Sequence, residues 1–289
     1  VNTISISACA KINLGLLLLR QRDDGYTDIA TVFQEISLAD QLHFRRIDAH
    51  GIRLVCDQPG IPVNSDNLIW KAYTLFQQQS GVDWGIDVRL EKRIPAGGGL
   101  GGGSSDAAAT LTALNRLAGH VLSEADLFEL AQKLGSDVPF FLHGGTALGE
   151  GRGEILTPID MDARYFIVLI LPGIHVSTAW AYQASRIALT KNKKISTFRA
   201  LFRDLHLKDW RGSLVNEMEA AVFQRHSRLL ALKDSLYDAG AGYASMSGSG
   251  STLFGLFFEE QAAEVAAANI EQLHAVNTVI CRPFSRKVI

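Results

Sequence analysis

The stretch Pro95-Ala96-Gly97-Gly98-Gly99-Leu100-Gly101-Gly102-Gly103-Ser104-Ser105 decides how the rest of this chain is read. Six glycines fall within residues 97–103. An alternating apolar and polar run, residues 86–91, precedes them, and an alanine-rich run, residues 106–117, follows. The first pattern predicts a strand and the second a helix. Glycine reaches backbone angles closed to other residues and lets another group approach the main chain closely. A loop built this way can turn several N–H groups toward one anion. The helix behind it adds free N–H donors and the positive end of its dipole. Strand, glycine loop and helix together make residues 95–105 a candidate phosphate cradle.

Two common motifs can be tested against this loop. The P-loop requires a lysine after its last glycine, where Ser104 stands, so that match fails. Gly97-x-Gly99-x-x-Gly102 fits the dinucleotide fingerprint letter by letter. That fingerprint also wants an acidic residue at the end of the next strand, about 20 residues on. Here two helices follow, and Glu124 opens the second. A linker or tight turn is the remaining reading, and linkers are seldom bracketed by a clean strand and an alanine-rich helix.

Working outward, residues 4–8 and 13–19 read as two strands, and residues 20–26 as a polar turn. Further strands are expected over residues 29–36, 40–45 and 52–56. Asn64-Ser65-Asp66-Asn67 opens a helix over residues 68–78. After the glycine loop, Ser123 caps a helix with Glu124 and Asp126 in its first turn, ending at Leu134 against Gly135. Residues 165–171 form an apolar strand closed by Pro172-Gly173, and residues 191–211 are basic and aromatic without a clear period. A helix over 229–239, a strand over 252–258 and a helix over 261–274 complete the pattern. The simplest division lies near residue 160, giving domains 1–160 and 161–289 with strands and helices in both.

The chain has 289 residues, 47% of them hydrophobic, enough for two cores. Its 28 basic and 30 acidic residues leave a net charge of −2, so no overall positive field exists to hold nucleic acid or an anionic membrane. Cys9, Cys56 and Cys281 are odd in number and far apart, which argues against a disulfide framework or zinc site and fits a reducing cytoplasm. The apolar run 14–19 is too short to cross a bilayer, and no basic segment precedes it as in a signal peptide. A soluble cytoplasmic protein is expected.

Three other features carry chemistry. Ser247-Gly248-Ser249-Gly250-Ser251-Thr252 is a plain turn when taken alone; beside the first loop it could cover the far side of a bound phosphate. Lys11 stands in the otherwise apolar stretch 8–19. It is either an edge lysine reaching water or a buried ammonium, which is costly unless paired. Asp137 in Gly135-Ser136-Asp137-Val138-Pro139 is a loop aspartate or the partner of Lys11. In such a pair the carboxylate accepts an alcohol proton, while the ammonium lowers the alcohol's pKa and neutralises a moving phosphoryl group. The eight histidines, His43, His50, His143 and His175 among them, show no ligand spacing. Gly248-Ser249-Gly250 is too symmetric for a hydrolase elbow.

Residues 10–15 (Ala-Lys-Ile-Asn-Leu-Gly), the loop 95–105 and residues 246–252 together resemble the three ordered motifs of the GHMP kinases. More narrowly, Lys11-Ile12-Asn13-Leu14, Asp24-Gly25-Tyr26, Asp66-Asn67-Leu68-Ile69, residues 135–139 and the run Glu150-Gly151-Arg152-Gly153-Glu154 with residues 155–158 resemble members acting on a cytidine diphosphate-linked polyol. These motifs are collinear and span most of the chain.

The resemblance implies a two-domain α+β fold, with a ribosomal-protein-S5-like N-terminal domain and a ferredoxin-like C-terminal domain. It implies ATP as phosphoryl donor, with Mg²⁺ carried mainly on the nucleotide phosphates. Lys11 and Asp137 match the catalytic pair, and residues 95–105 match the ATP phosphate loop. Asn13 matches a residue facing the polyol. Tyr26, Phe33 and Tyr182 match aromatics around the cytosine, and Ser247 and Gly248 join the substrate side. Separately from the resemblance, the place of Ser105 at the helix start makes it a candidate metal ligand or phosphate donor.

Two departures stand out. Cys9 precedes Ala10-Lys11 where the family usually has proline. Thr27 stands where the family usually has a histidine that reads the cytosine edge, and it offers one hydroxyl in place of an imidazole. Another GHMP alcohol kinase, or a nonenzymatic sensor on the same fold, are the competing readings; intact Lys11, Asp137 and both loops weigh against a sensor. Monomer and homodimer both remain open.

Overall fold

Strand β1 (Thr3–Gln21) is nineteen residues long, and Lys11 sits within it without breaking it. The computed structural model describes residues 2–161, 163–185 and 209–284. The chain groups into two compact units that interleave along the sequence. The first takes residues 2–10, Leu38–Ala96 and Gly101–Gly144; the second takes Lys11–Ser37, Gly97–Leu100 and the described residues from Gly145 onward. Both mix helices with antiparallel sheet, as an α+β chain does. The basic stretch expected over 191–211 lies, up to residue 208, outside the described residues.

In the first unit the far half of β2 (Thr27–Ile47) pairs antiparallel with β4 (Gly85–Glu91), Gln41 opposite Glu91 and Ile47 opposite Gly85. β4 pairs parallel with β3 (Ile52–Cys56). Ile86, Val88 and Leu90 alternate into the core, as a half-buried strand requires. Helix α1 (Leu68–Ser80) begins at Asn67, whose side chain accepts from Ile69 N, and ends at Gly81 in the left-handed conformation. It packs on α2 (Gly102–Leu117), which is buried on most sides because its alanines permit close approach. Helix α3 (Glu124–Leu134) has the capping box of Ser123 and Asp126. A short α4 (Val138–His143) follows, with Pro139 in its first turn.

In the second unit the near half of β2 pairs with β5 (Thr146–Glu150), Thr31 opposite Gly149, and β5 pairs with β6 (Ile155–Pro158). A separate antiparallel sheet runs in the order β10 (Asn277–Cys281), β7 (Phe166–Leu171), β9 (Leu253–Phe257), β8 (Tyr243–Met246). Helices α5 (Thr178–Ser185), α6 (Glu219–Arg225), α7 (Ser227–Asp238) and α8 (Glu260–His274) accompany it. Their apolar faces meet β7 and β9 in a core that includes Val168, Ile170, Leu232, Leu236, Phe257 and Ile270.

Two pairs of expected strands, 4–8 with 13–19 and 29–36 with 40–45, are each one continuous strand, β1 and β2. A single polar residue does not end a strand whose neighbours stay paired. Helix α2 starts at Gly102, four residues before the expected Asp106, since the loop glycines themselves take helical angles.

Candidate active site

The glycine loop is built on an alternation of backbone hands. Gly97, Gly99 and Gly101 have φ of 71°, 79° and 72°, with Gly98 and Leu100 between them outside that region. Such alternation turns successive N–H groups to one side and makes a concavity suited to an anion. The carbonyls are held from the other direction. Gly98 O accepts from Thr252 N at 3.2 Å, Leu100 O from Lys11 N at 3.0 Å, and Gly99 O from Ser247 Oγ at 2.9 Å. Among the described residues, no N–H of residues 97–101 donates to another protein group. Gly99 is doubly required: besides its positive φ, a Cβ there would lie 2.1 Å from Ser247 O. Helix α2 begins directly behind the loop without a side-chain cap, so its first N–H groups are also available to a ligand. Ser105 Oγ, in the first turn of α2, is buried with no hydrogen-bond partner among the described residues.

The second loop joins β8 to β9, and its serines face inward. Ser247 Oγ accepts from Asn13 N at 3.3 Å while donating to Gly99 O. Ser249 bonds Thr178 Oγ1 at 2.9 Å, and Ser251 donates to Ile174 O. Asn216, between the helices and β1, ties the loop by donating to Met246 O and Gly248 O. Gly248 lies close to the polar cluster: a Cβ there would be 3.2 Å from Asn13 Oδ1 and 3.7 Å from Lys11 Nζ.

Lys11 and Asn13 occupy alternate positions of β1 and therefore share a face. Lys11 is only 4% exposed, which rules out the edge-lysine reading. Its ammonium donates to Asn13 Oδ1 at 2.7 Å and lies 5.3 Å from the centre of the Phe33 ring. The Asn13 amide is oriented from its other end, since Nδ2 donates to Thr31 Oγ1 at 2.8 Å and Thr31 in turn donates to Gly15 O. Phe33 is fully buried beside Lys11, wedged so that a Cβ on Gly149 would be 2.5 Å from its ring. Tyr26 is 53% exposed, with the Arg152 guanidinium 4.8 Å from its ring centre. Thr27, the first residue of β2, is buried. Tyr182 packs on the second unit's core from α5. The second unit thus brings together Lys11, Asn13, Phe33, residues 97–100, Ser247 and Gly248. Asp137 belongs to the first unit, half-buried at the start of α4 with its side chain not used as a cap.

One cluster was not legible in the sequence. In the first unit Lys92 Nζ sits between the carboxylates of Asp40 and Asp106, at 2.9 Å from Asp106 Oδ2. Asp40 also accepts from Arg93 N and Ile94 N. Burial pushes the Asp106 carboxyl up to about 7. Burial works against the Lys92 ammonium, yet the two carboxylates outweigh it and hold its pKa above the ordinary value. Gly102 lies directly over this cluster, for a Cβ there would be 2.9 Å from Lys92 Nζ. The spacing of residues 40, 92 and 106 gives no hint that they meet; the only signal was a charge in each of two apolar surroundings.

Among the described residues no group of three or more His, Cys, Asp or Glu is placed to hold a metal, and no helix is long and apolar enough to cross a membrane. Comparison with known proteins matches residues 67–145 to the GHMP kinases N terminal domain and residues 187–275 to the GHMP kinases C terminal domain. The 4-diphosphocytidyl-2-C-methyl-D-erythritol kinase of Geobacter metallireducens is 42% identical over 93% of this chain and 95% of its own length. That of Chlorobium phaeobacteroides is 41% identical over 91% and 92%. A solved 4-(cytidine 5'-diphospho)-2C-methyl-D-erythritol kinase superposes with a TM-score of 0.81 at 34% identity, covering 96% of this chain and 98% of that one. A homoserine kinase from Cytophaga hutchinsonii shares the fold, with a TM-score of 0.75 at 21% identity. These likenesses define a small-molecule kinase that uses ATP. The chain belongs to the GHMP kinase family.

Proposed function

We propose that this kinase transfers the γ-phosphate of ATP to the 2-hydroxyl of 4-diphosphocytidyl-2-C-methyl-D-erythritol, a step of non-mevalonate isoprenoid precursor synthesis, in the cytoplasm. The observation that carries this reading is the run of relatives of that name, about 40% identical over more than nine-tenths of the chain. The matched positions of the sequence motifs support it. In this reading the chain is divided near residue 160, into domains 1–160 and 161–289.

In this reading residues 95–105 receive the triphosphate, the tied carbonyls leaving the loop's N–H groups to meet its oxygens. Mg²⁺ would come with the nucleotide, bound mainly through its phosphates. It would neutralise phosphate charge, with Ser105 Oγ within the loop's first helical turn as a ligand or phosphate donor. Asn13 fixes the Lys11 ammonium so that it faces the polyol oxygen and lowers its pKa. Asp137 accepts the alcohol proton; its asparagine variant cannot. Asp137→Asn should keep nucleotide affinity and lose about 10²–10⁴-fold in turnover, and turnover within about threefold of the parent would remove it from that role. Tyr26, Thr27, Phe33 and Tyr182 form the cytidine side.

The test is a coupled ADP-release assay over a panel of alcohols. The cytidine-bearing alcohol should be preferred strongly over free methylerythritol phosphate. Equal kcat/KM for the two would show that no cytosine site operates. A second reading, a GHMP kinase for a different alcohol, is favoured by Thr27, a small buried residue where the family's histidine reads the base.

A further inference from the structure

The motif Glu150-Gly151-Arg152-Gly153-Glu154 has no role in the chemistry above, yet its turn touches the rings of Tyr26, just before β2, and Phe33, within it. Gly149 and Gly153 press on Phe33: a Cβ on the first would meet the ring at 2.5 Å, and on the second at 3.3 Å. Arg152 covers one face of the half-exposed Tyr26 ring at 4.8 Å. The turn is fastened to β2 by Ile29 N donating to Gly151 O at 2.7 Å, and it closes on itself through Gly153 N and Glu150 O at 3.0 Å.

Arg152 is itself held in place. Its N–H donates to Glu154 Oε2 at 2.6 Å, and its Nε lies 3.6 Å from Glu154 Oε1. Gly151 has φ of 69°, which lets Glu154 fold back beneath it; a Cβ there would be 3.0 Å from that carboxylate. The Tyr26 main chain is fixed separately, its N–H donating to Asp24 Oδ1 at 3.1 Å and its carbonyl accepting from Arg22 N at 2.8 Å. Backbone and ring are therefore ordered by different partners, and the ring by Arg152.

From this we infer that Arg152 is a positioning residue for pyrimidine recognition: stacked on one face of Tyr26, it holds the ring with the opposite face turned out for the base. A guanidinium is planar, always charged and weakly hydrated, which suits it to lie flat on a ring. An aromatic ring already ordered before the base arrives loses less freedom on binding it. The inference rests on the reading of Tyr26 as a base platform.

The experiment measures Kd for 4-diphosphocytidyl-2-C-methyl-D-erythritol by calorimetry without ATP, on the parent chain, Arg152→Gln, Arg152→Lys, Tyr26→Ala and the double variant Tyr26→Ala/Arg152→Gln. Arg152→Gln should weaken binding about two- to fivefold, the size of an exposed cation–π contact, and leave the affinity for ATP unchanged. Arg152→Lys should recover part of the loss, since it keeps the charge without the plane; it also carries the test if the glutamine variant does not fold. In the Tyr26→Ala background Arg152→Gln should add nothing, because the residue acts through the ring. The same loss in both backgrounds, or no loss with Arg152→Gln while Tyr26→Ala weakens binding, overturns the inference and leaves the platform standing. No loss with Tyr26→Ala overturns the platform and the inference with it.

Discussion

Of the two small-residue loops, residues 247–252 turn their serine hydroxyls inward onto Gly99, Thr178 and Ile174, whereas residues 97–101 turn their carbonyls inward and keep their N–H groups outward. Both are built mainly from small residues, glycine around Leu100 in one and glycine, serine and Thr252 in the other. One satisfies its polar groups within the protein; the other withholds them. A receptor for an anion needs donors that are ordered before the ligand arrives, because reorganising them at the moment of reaction is costly. The second loop provides that order from behind by taking up the carbonyls of Gly98 and Gly99. What separates the brace from the proposed receptor is the direction of the carbonyls.

The contrast can be broken first at the root of the receptor. Lys92→Met would leave two buried carboxylates beneath Gly102 without their cation. It should cost about 3–5 kcal/mol of stability, read from the urea midpoint. A loss under about 1 kcal/mol would show that the ion cluster does not anchor α2.

Next in size is Gly99→Ala. The added methyl meets Ser247 O and the backbone angle resists a side chain, so the loop must leave its brace. A displacement of about 1 Å at a positioned group costs on the order of 10²-fold, and kcat/KM for ATP should fall by that much in a folded variant. Parent-like use of ATP would mean that residues 97–101 do not receive the phosphates.

Two serine substitutions sharpen the distinction further. Ser247→Ala removes the bond to Gly99 O and should raise the KM for ATP about two- to tenfold, the range of one net hydrogen bond. Ser249→Ala removes a bond to Thr178 that never touches the first loop, and KM should stay put. Equal shifts in both variants would erase the difference drawn between bracing and merely filling.

The last expected effect is a slope with pH. Asp106 keeps its proton up to about 7 when folded, against an ordinary value of 3.8. A carboxyl raised in this way contributes its full share below the ordinary value, and that share is lost as pH rises through about 7. The parent should therefore lose stability between pH 5 and 8 relative to Asp106→Asn, whose amide does not titrate. Parallel urea midpoints for the two proteins across that window would contradict the placement.

Local signals made much of the fold readable. Asn67 and Ser123 announced their helices because a side-chain oxygen before an apolar period has few other uses. β3 was found at its observed ends because its alternation is uninterrupted. The start of α2 was not readable, since glycine propensity argues against helix and only the anchoring beneath Gly102 overrides it. Helix α4 escaped because six residues with an early proline show no period. At the site, the apolar neighbours of Lys11 left an edge lysine and a buried one both open, and its orientation depends on Asn13 and Thr31, which no local rule connects. The pairing of Arg152 with Tyr26 is likewise a product of tertiary structure alone.

The bond between Asn13 N and Ser247 Oγ joins residues 234 positions apart. On a ribosome adding roughly 5–20 residues per second, that separation is on the order of 10–50 s of synthesis. Throughout it, Leu16 and Leu18 wait for Met218, Val222 and the rest of their core to be made. Strand β1 thus emerges well before the segments that cover it, which makes the nascent chain a natural client for a chaperone that shields apolar segments during translation.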